Sequence, residues 1–287
     1  MTLRELASLA NVSVSTISKA FSNAKGVSKE TREHIFRIAR EQGCYEQFYK
    51  GKYFKKLIAV ICPEIKSEAY HRIASYLETL ITEIGATMIL SISNFDAATE
   101  ESLFSYHAYY QKVDGIIIIG HCADIKDDPA IPTVRINGFP TDSLSSISAS
   151  SKPALKEAVK YLMDMGHRKI GFIGENLTKS KAKHFRTAMN EYALPIREEY
   201  IIISEERFEI AGYHSMEKLL ELKERPTAVI FGYDYMALGA MKCIKDHGLA
   251  VPDDISLIGM DNIRSLPYWD TPLTTISSHS KTQCNLA

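Results

Sequence analysis

Residues 13–19 place four hydroxyl groups, a valine and a lysine in seven positions of the chain. The order is Ser13, Val14, Ser15, Thr16, Ile17, Ser18 and Lys19. Hydroxyl groups and the free amides at a helix start donate hydrogen bonds to phosphate oxygens, and an aliphatic side chain contacts the methyl group of thymine. The segment therefore predicts contact with nucleic acid. The alternative is that this helix packs on protein.

The surrounding sequence predicts three short helices that would position these side chains. Thr2 begins a capping box for the first helix, and Ser13 caps the second after a tight turn. Ser28 caps a third helix over residues 29–42, which ends at Gly43. Two helices joined by a tight turn are typical of a helix-turn-helix, which inserts a helix into the DNA major groove.

The charge of the chain is distributed asymmetrically. Residues 1–56 carry 11 Lys and Arg against 5 Asp and Glu, whereas residues 57–287 carry 23 against 30. A basic head of +6 on an acidic body of −7 predicts that only the head meets a polyanion. The alternative is that the head charges form an ordinary solvated face.

A linker over residues 48–56 is predicted to follow the head domain, residues 1–47. It interleaves Lys50 and Lys52 with aromatic residues, and Gly51 disfavours a helix. Two interpretations stay open. Lys50 and Lys52 contact phosphates while an aromatic side chain enters the minor groove, or the segment is a solvated tether whose aromatics pack on the two domains.

The pattern of the body, residues 57–287, changes to buried strands that alternate with amphipathic helices. This alternation is typical of an α/β fold with doubly wound parallel sheets. The order occurs twice, which predicts one lobe over about 57–149 and a second over about 150–276, followed by residues 277–287. Because such folds bind ligands at the carboxyl ends of strands, a two-lobed sensor of a small molecule is expected.

Several classes of protein lack support in the sequence. There is no glycine-rich nucleotide-binding motif, no metal-binding HExxH and no nucleophile elbow, so neither an enzyme nor a cofactor or metal is predicted. The five cysteines form no CxxC pair. No apolar run approaches the length of a membrane span, and the polar N-terminus predicts a cytoplasmic location.

Segments along nearly the whole chain resemble the LacI/GalR family of bacterial transcription regulators. In the head these are residues 12–19 and 27–32; in the body they are 113–120, 166–174, 227–241, 248–261 and 272–277. The resemblance implies a periplasmic-binding-protein-like core and a homodimeric repressor of transcription. It further implies that operator DNA binds the heads and that a small sugar or sugar phosphate binds between the lobes.

The resemblance assigns DNA contacts in the head residue by residue. It implies that Val14, Ser15 and Lys19 face base edges, and that Ser13, Thr16 and Ser18 hold phosphates. Ser28, Lys50 and Lys52 complete the predicted DNA-contacting set. Lys19 stands where the family usually has arginine, and lysine lacks the planar fork that contacts guanine with two hydrogen bonds.

The resemblance also implies an effector site made of Tyr70, Ser150, Lys181, Asp234 and Asp261. Alternatives stay open for these side chains. Asp234 and Asp261 would serve as helix or loop caps, Tyr70 would pack in the core, and Lys181 would be a solvated surface charge. The helices near 68–84 and 235–247 are implied as dimer surfaces.

The end of the chain departs from the family pattern. The resemblance implies that the first lobe lacks its last helix and that both lobes lack closing strands. Residues 282–287 show no apolar stripe, so we expect a fragment or a shifted reading frame. Two other functions remain as alternatives: a cytoplasmic sugar-binding or carbohydrate-processing protein with a vestigial head, and a regulator that binds DNA without responding to ligand.

Overall fold

The computed structural model describes residues 1–22, 24–48, 56–120, 123–126, 131–137 and 144–287. Two compact units are present, one of Met1–Leu57 with Ile84–Thr87, the other of Ile58–Glu83 with Met88–Ala287. Within the described ranges, no helix has the length and apolar character needed to cross a membrane.

The head contains four helices: α1 (Leu3–Leu9), α2 (Val14–Phe21), α3 (Lys29–Glu41) and α4 (Tyr45–Phe48). The predicted capping box is present, because the Thr2 amide donates to Glu5 Oε2 (2.6 Å) and the Glu5 amide donates to Thr2 Oγ1 (3.3 Å). Ser13 and Ser28 cap α2 and α3 as predicted. The three longer helices close over a small apolar core of Leu6, Ile17, Phe21, Ile35 and Ala39, among others.

Aromatic side chains of α4 extend this core. The rings of Tyr45 and Phe48 lie 5.7 and 5.9 Å from that of Phe21, measured between centres. The half-buried Phe48 therefore packs on the head, which favours the tether interpretation at that residue. Lys50 and Lys52 lie outside the described residues.

The first lobe is built on a sheet of strands β1 (Leu57–Cys62), β2 (Thr87–Ile92), β3 (Gly115–Ile119), β4 (Thr133–Ile136) and β5 (Ser146–Ile147). The order is β2-β1-β3-β4-β5, and β1, β3, β4 and β5 pair in parallel. Helices α5 (Glu68–Glu83) and α6 (Ala97–Ser105) connect the first strands. Helix α6 ends at Ser105, and the chain continues as a π-helical turn, Tyr106–Gln111.

The second lobe repeats this arrangement with strands β6 (Ile170–Glu175), β7 (Ile201–Ser204), β8 (Ala228–Phe231), β9 (Ser256–Met260) and β10 (Thr274–Ile276). They pair in parallel in the order β10-β9-β8-β6-β7. The helices are α7 (Lys152–Asp164), α8 (Lys179–Glu191), α9 (Phe208–Leu220) and α10 (Asp234–Asp246). The predicted α/β fold with two doubly wound parallel sheets is confirmed.

Both faces of the second sheet are buried. Phe172 and Ile230 belong to the core on the α7 and α8 side, and Ile173 and Phe231 belong to the core on the α9 and α10 side. Successive strand residues point to opposite faces, so a strand buried on both sides needs a continuous apolar run. This is the pattern that KIGFIG and AVIFG show in the sequence.

Helix α11 (Ser280–Leu286) is an element that the sequence pattern did not predict. It packs against α5 of the first lobe, where the Cys284 thiol faces the Ile73 carbonyl at 3.7 Å. Gln283 Nε2 also donates to Asn137 Oδ1 at 2.6 Å. The expectation that this segment has nothing with which to continue the fold is wrong, since Ser280, Gln283 and Cys284 are buried although the segment has no apolar stripe.

Candidate DNA-binding and effector sites

Helix α2 turns one face to the head core and the other to solvent. Ile17, Ala20 and Phe21 are buried, whereas Ser15, Ser18 and Lys19 are exposed. Val14 keeps 41% of its surface exposed although it is apolar, at the helix start. An exposed aliphatic group beside hydroxyls and a lysine is the set of side chains that base edges and phosphates require.

The hydroxyl groups at the start of α2 are held in one cluster. Ser13 Oγ accepts from the Thr16 amide at 3.0 Å and lies 2.8 Å from both Ser15 Oγ and Thr16 Oγ1. Ser13 and Ser15 are exposed and Thr16 is half-buried, so the cluster lies at the surface. Ser28, also exposed, accepts from the Thr31 amide at 3.1 Å as the cap of α3.

Arg32 is a head residue that sequence reasoning missed. Its guanidinium donates to the carbonyls of Ala20 (3.4 Å) and Ala24 (3.1 Å), which ties the end of α2 and the following loop to α3. An arginine one turn into a capped helix carries no signal in the sequence that distinguishes it from a solvated charge.

Asp234 does not face a ligand in the second lobe. It is fully buried at the start of α10, where Oδ2 accepts from the Ile263 amide (2.9 Å) and Oδ1 accepts from Thr275 Oγ1 (2.6 Å). Burial raises the pKa of this carboxyl to about 6. These contacts favour the capping alternative for Asp234 over the predicted effector contact, because both oxygens already accept hydrogen bonds, one from the loop after β9 and one from β10.

The other predicted effector residues occupy different surroundings. Lys181 is half-buried and donates to the Gly232 carbonyl at 2.6 Å, so it is not a solvated charge. Ser150 is exposed and accepts from the Lys152 amide at 3.2 Å, before α7. Asp261 is half-buried after β9, and the half-buried Tyr70 meets the Phe95 ring edge-on at 5.8 Å. Tyr70 therefore stays open to both packing and stacking.

An ion pair that sequence reasoning missed joins the two lobes. Arg207 of the second lobe donates from Nη1 to Glu64 Oε2 (2.9 Å) and from Nη2 to Glu64 Oε1 (2.6 Å). Glu64 follows β1 of the first lobe and is only 8% exposed. Its hydrogen bonds to Arg207 raise the pKa of that guanidinium. Such a paired, two-bond geometry is stronger and more directional than a single charged hydrogen bond.

Further groups complete the surroundings of Arg207. Glu175, at the end of β6 and almost fully buried, places Oε1 3.6 Å from Arg207 Nε. Tyr233, at the end of β8, accepts at its hydroxyl from the Phe208 amide (2.9 Å), and burial raises the pKa of its phenol to about 12. A carboxylate, a phenol and an arginine thus converge where the strands of the second lobe end.

A second arginine also joins the lobes, but here the arginine belongs to the first lobe and the acceptors belong to the second. Arg72 of α5 donates to the backbone carbonyls of Asp261 (2.8 Å) and Asn262 (2.7 Å). Both joints contain residues with positive φ: Asp261 at 97°, Asn262 at 51° and Phe208 at 61°. Strained backbone of this kind persists where surrounding contacts hold it, often in ligand clamps.

One signal could have found Glu64 and Arg207. Each follows the carboxyl end of a strand, β1 and β7, and such ends bind ligands in open α/β sheets. The pairing itself has no signal, because the two residues lie 143 positions apart. Among the residues described, no group of histidine, cysteine or acidic side chains is arranged to hold a metal ion.

A helix-turn-helix head and a two-lobed α/β core together define a DNA-binding transcriptional regulator. Residues 2–45 match the model of bacterial regulatory proteins of the lacI family, and residues 159–287 match a periplasmic binding protein-like domain. The chain belongs to the LacI family.

Two relatives with assigned roles are regulators of transcription. The chain is 30% identical to catabolite control protein A of Priestia megaterium, over 96% of this chain and 87% of the relative. It is 32% identical to the transcriptional repressor CytR of Escherichia coli (strain K12), over 96% of this chain and 84% of the relative.

Solved structures share the fold. A lac repressor dimer bound to operator and the anti-inducer ONPF superposes with a TM-score of 0.72 at 22% identity, covering 100% of this chain and 90% of that one. The regulator CelR in complex with cellobiose superposes with a TM-score of 0.68 at 22% identity, with the same coverage.

Proposed function

We propose that this chain is a cytoplasmic repressor that binds operator DNA as a homodimer and responds to a small effector between its lobes. The observation that carries the DNA-binding half is the exposed face of α2, which carries Val14, Ser15, Ser18 and Lys19 and begins at a surface cluster of hydroxyl groups. Two copies of the head would contact two half-sites, as helix-turn-helix dimers do.

The effector half of the proposal rests on the polar groups at the strand ends of both lobes. Glu64, Arg207, Glu175 and Tyr233 converge there, and the same fold binds ONPF and cellobiose in the lac repressor and CelR. We therefore propose binding rather than turnover of the effector in the cleft. A sugar-like effector would use hydrogen bonds to carboxylates and hydroxyls of this kind.

The homodimer would use the outer side of α9 and α10. A groove there is lined by Ile210, Tyr213, Leu238 and Lys242, and Ile210 keeps 49% of its surface exposed. Apolar side chains at the surface of a folded lobe favour a protein partner. The family resemblance likewise implied dimer surfaces on the helices near 235–247 and 68–84, and both stay predictions.

The DNA-binding proposal is tested by selecting operators from a random duplex library with the full chain, followed by gel-shift titrations at two salt concentrations. Lys19→Gln is compared with Lys218→Gln, which removes an exposed lysine from α9 in the body. We expect Lys19→Gln to weaken binding to the selected operator by about 1–3 kcal/mol and to relax the base preference at the position that Lys19 contacts. The Lys218→Gln variant should bind like the wild type.

Two outcomes would contradict the proposal. Recovery of no preferred sequence would exclude an operator-specific regulator and leave a non-specific polyanion binder. Equal operator affinity and base preference in both variants would show that Lys19 does not face the base edges, and binding that is independent of salt would show that the head does not contact phosphates.

A further inference from the structure

The contact between Glu64 and Arg207 has the geometry of a ligand bound to its receptor. Both terminal nitrogens of Arg207 donate to both carboxylate oxygens, at 2.9 and 2.6 Å. This parallel pair is how arginine recognises a free carboxylate or phosphate. The carboxylate comes from the first lobe and the arginine from the second. Glu64 thus provides the two acceptor oxygens that a bound anion would otherwise provide.

Arg207 is held as a fixed anion receptor. Its guanidinium carbon lies 5.4 Å from the centre of the Phe95 ring and 4.6 Å from that of Phe208. Two aromatic rings at these distances stabilise the cation and limit competing water. The side chain nevertheless keeps 30% of its surface exposed, so a small anion in solution can reach it.

Two carboxylates share this one guanidinium, and they differ in how they are held. Glu175 is 2% exposed, and its Oε2 accepts from the Leu177 amide at 2.8 Å, so it is fixed within the second lobe. Glu64 belongs to the loop after β1, and the hydrogen bonds of its carboxylate go to Arg207. Replacement of Glu64 by another anion therefore leaves Arg207 oriented by Glu175.

A hydrogen-bond donor of Arg207 is also left without an acceptor. Its Nε is buried and makes no hydrogen bond within the described part of the chain, with Glu175 Oε1 beyond bonding distance at 3.6 Å. A ligand with several acceptor oxygens, such as a phosphate, satisfies a guanidinium more completely than one side-chain carboxylate does.

We infer that Arg207 forms an anion-binding subsite of the effector cleft, and that Glu64 occupies it as an internal ligand until an effector with a carboxylate or phosphate group displaces it. This inference rests on the proposed effector-binding function. Because the Glu64 contact joins the lobes, its displacement couples anion binding to the relation between them.

An internal ligand lowers the apparent affinity for an external one. The apparent dissociation constant is the intrinsic constant divided by the fraction of molecules with an open site, and a tethered group acts at an effective concentration of millimolar or more. Removing the charge of Glu64 should therefore tighten anion binding by about tenfold or more.

The test uses inorganic phosphate and acetate as probes, titrated into the full chain by calorimetry with chloride holding the ionic strength constant. We expect Glu64→Gln to bind phosphate at least about tenfold more tightly than the wild type. Arg207→Gln in the Glu64→Gln background should remove this gain. Glu68→Gln is the matched control, because Glu68 pairs with Arg72 and does not touch Arg207.

Equal phosphate affinity in the wild type and Glu64→Gln, or a gain that survives Arg207→Gln, would overturn the inference. Glu64→Asp, which shortens the side chain and breaks the paired geometry, gives the same comparison if Glu64→Gln fails to fold. Gel shifts without added phosphate separate the two proposals. If the wild-type protein does not select an operator, the proposed function is contradicted, whatever the phosphate titrations show.

Discussion

At the scale of single residues, the role of a polar side chain depends on its hydrogen-bond partners as well as on its type and position in the sequence. Asp234 and Asp261 follow neighbouring strands of the second lobe, yet one is a buried structural acceptor and the other is half-buried with its backbone carbonyl bound by Arg72. Residue type and strand position were readable for both. The partners of Asp234, Thr275 and Ile263, could not be predicted, because they lie 41 and 29 positions further along the chain.

Asp234→Asn tests this structural role through its dependence on pH. The pKa of Asp234 is raised from 3.8 to about 6 by burial, so the folded chain holds a proton that the unfolded chain releases. Stability from this group is therefore greatest below about pH 4 and falls as pH rises through about 6. Urea unfolding should show the wild type losing about 2 kcal/mol over that window relative to Asp234→Asn.

Asp254→Asn, which alters an exposed carboxylate, should leave that difference intact. Unfolding curves of the wild type and Asp234→Asn that change in parallel with pH would mean that the carboxyl does not titrate on folding. A constant offset between them is expected in addition, because asparagine offers one acceptor where aspartate offers two.

At the scale of elements, strands were predicted more closely than the details of helices. The run LIAVIC coincides with β1, because a strand that is buried on both faces consists of consecutive apolar residues. The change to a π-helical turn at Tyr106 left no such pattern. There the buried His107 contacts Ser91 at 2.8 Å and Gln111 at 2.7 Å, and the first of these contacts depends on the neighbouring strand.

The crossing of α9 and α10 yields a prediction at this scale. Each helix presents a glycine to the backbone of the other, and a Cβ at Gly212 would overlap the Met236 carbonyl. Gly212→Ala should force the helices apart and lower the free energy of unfolding by about 3 kcal/mol or more. Lys218→Ala, on the exposed side of α9, should change it by less than about 0.5 kcal/mol.

Chemical denaturation followed by far-ultraviolet circular dichroism measures both variants. A Gly212→Ala protein as stable as the wild type would mean that the helices tolerate a wider separation than this crossing implies.

At the scale of the whole molecule, the order of the domains could be predicted from the sequence, whereas the contacts between the two lobes could not. Repetition of the strand and helix pattern predicted two lobes, since periodicity is a local property of the chain. The two arginine bridges between the lobes link residues 143 and 189 positions apart, which no local pattern records. The effector cleft between the lobes stays a prediction, whereas the ion pair and the arginine hydrogen bonds that join the lobes were visible only in the fold.

Leu238→Glu tests the proposed dimer surface. Leu238 is half-buried and lines the groove between α9 and α10, so a carboxylate there would be desolvated on both partners. We expect sedimentation velocity to show a shift from dimer to monomer, with weaker operator binding. Lys218→Glu introduces the same side chain on an exposed part of α9, and dissociation by that variant as well would argue against the groove as the interface.

Helix α11 has a consequence for the order in which the protein is assembled. Cys284 of this helix contacts Ile73 of the first lobe, 211 residues earlier. The chain therefore passes through the whole second lobe before it returns to the first. At about 5–20 residues per second, a ribosome needs about 10–40 seconds to synthesise the stretch between these two residues. During translation, α5 of the first lobe is therefore synthesised well before α11. The α5 surface that α11 covers stays exposed until the second lobe has been synthesised.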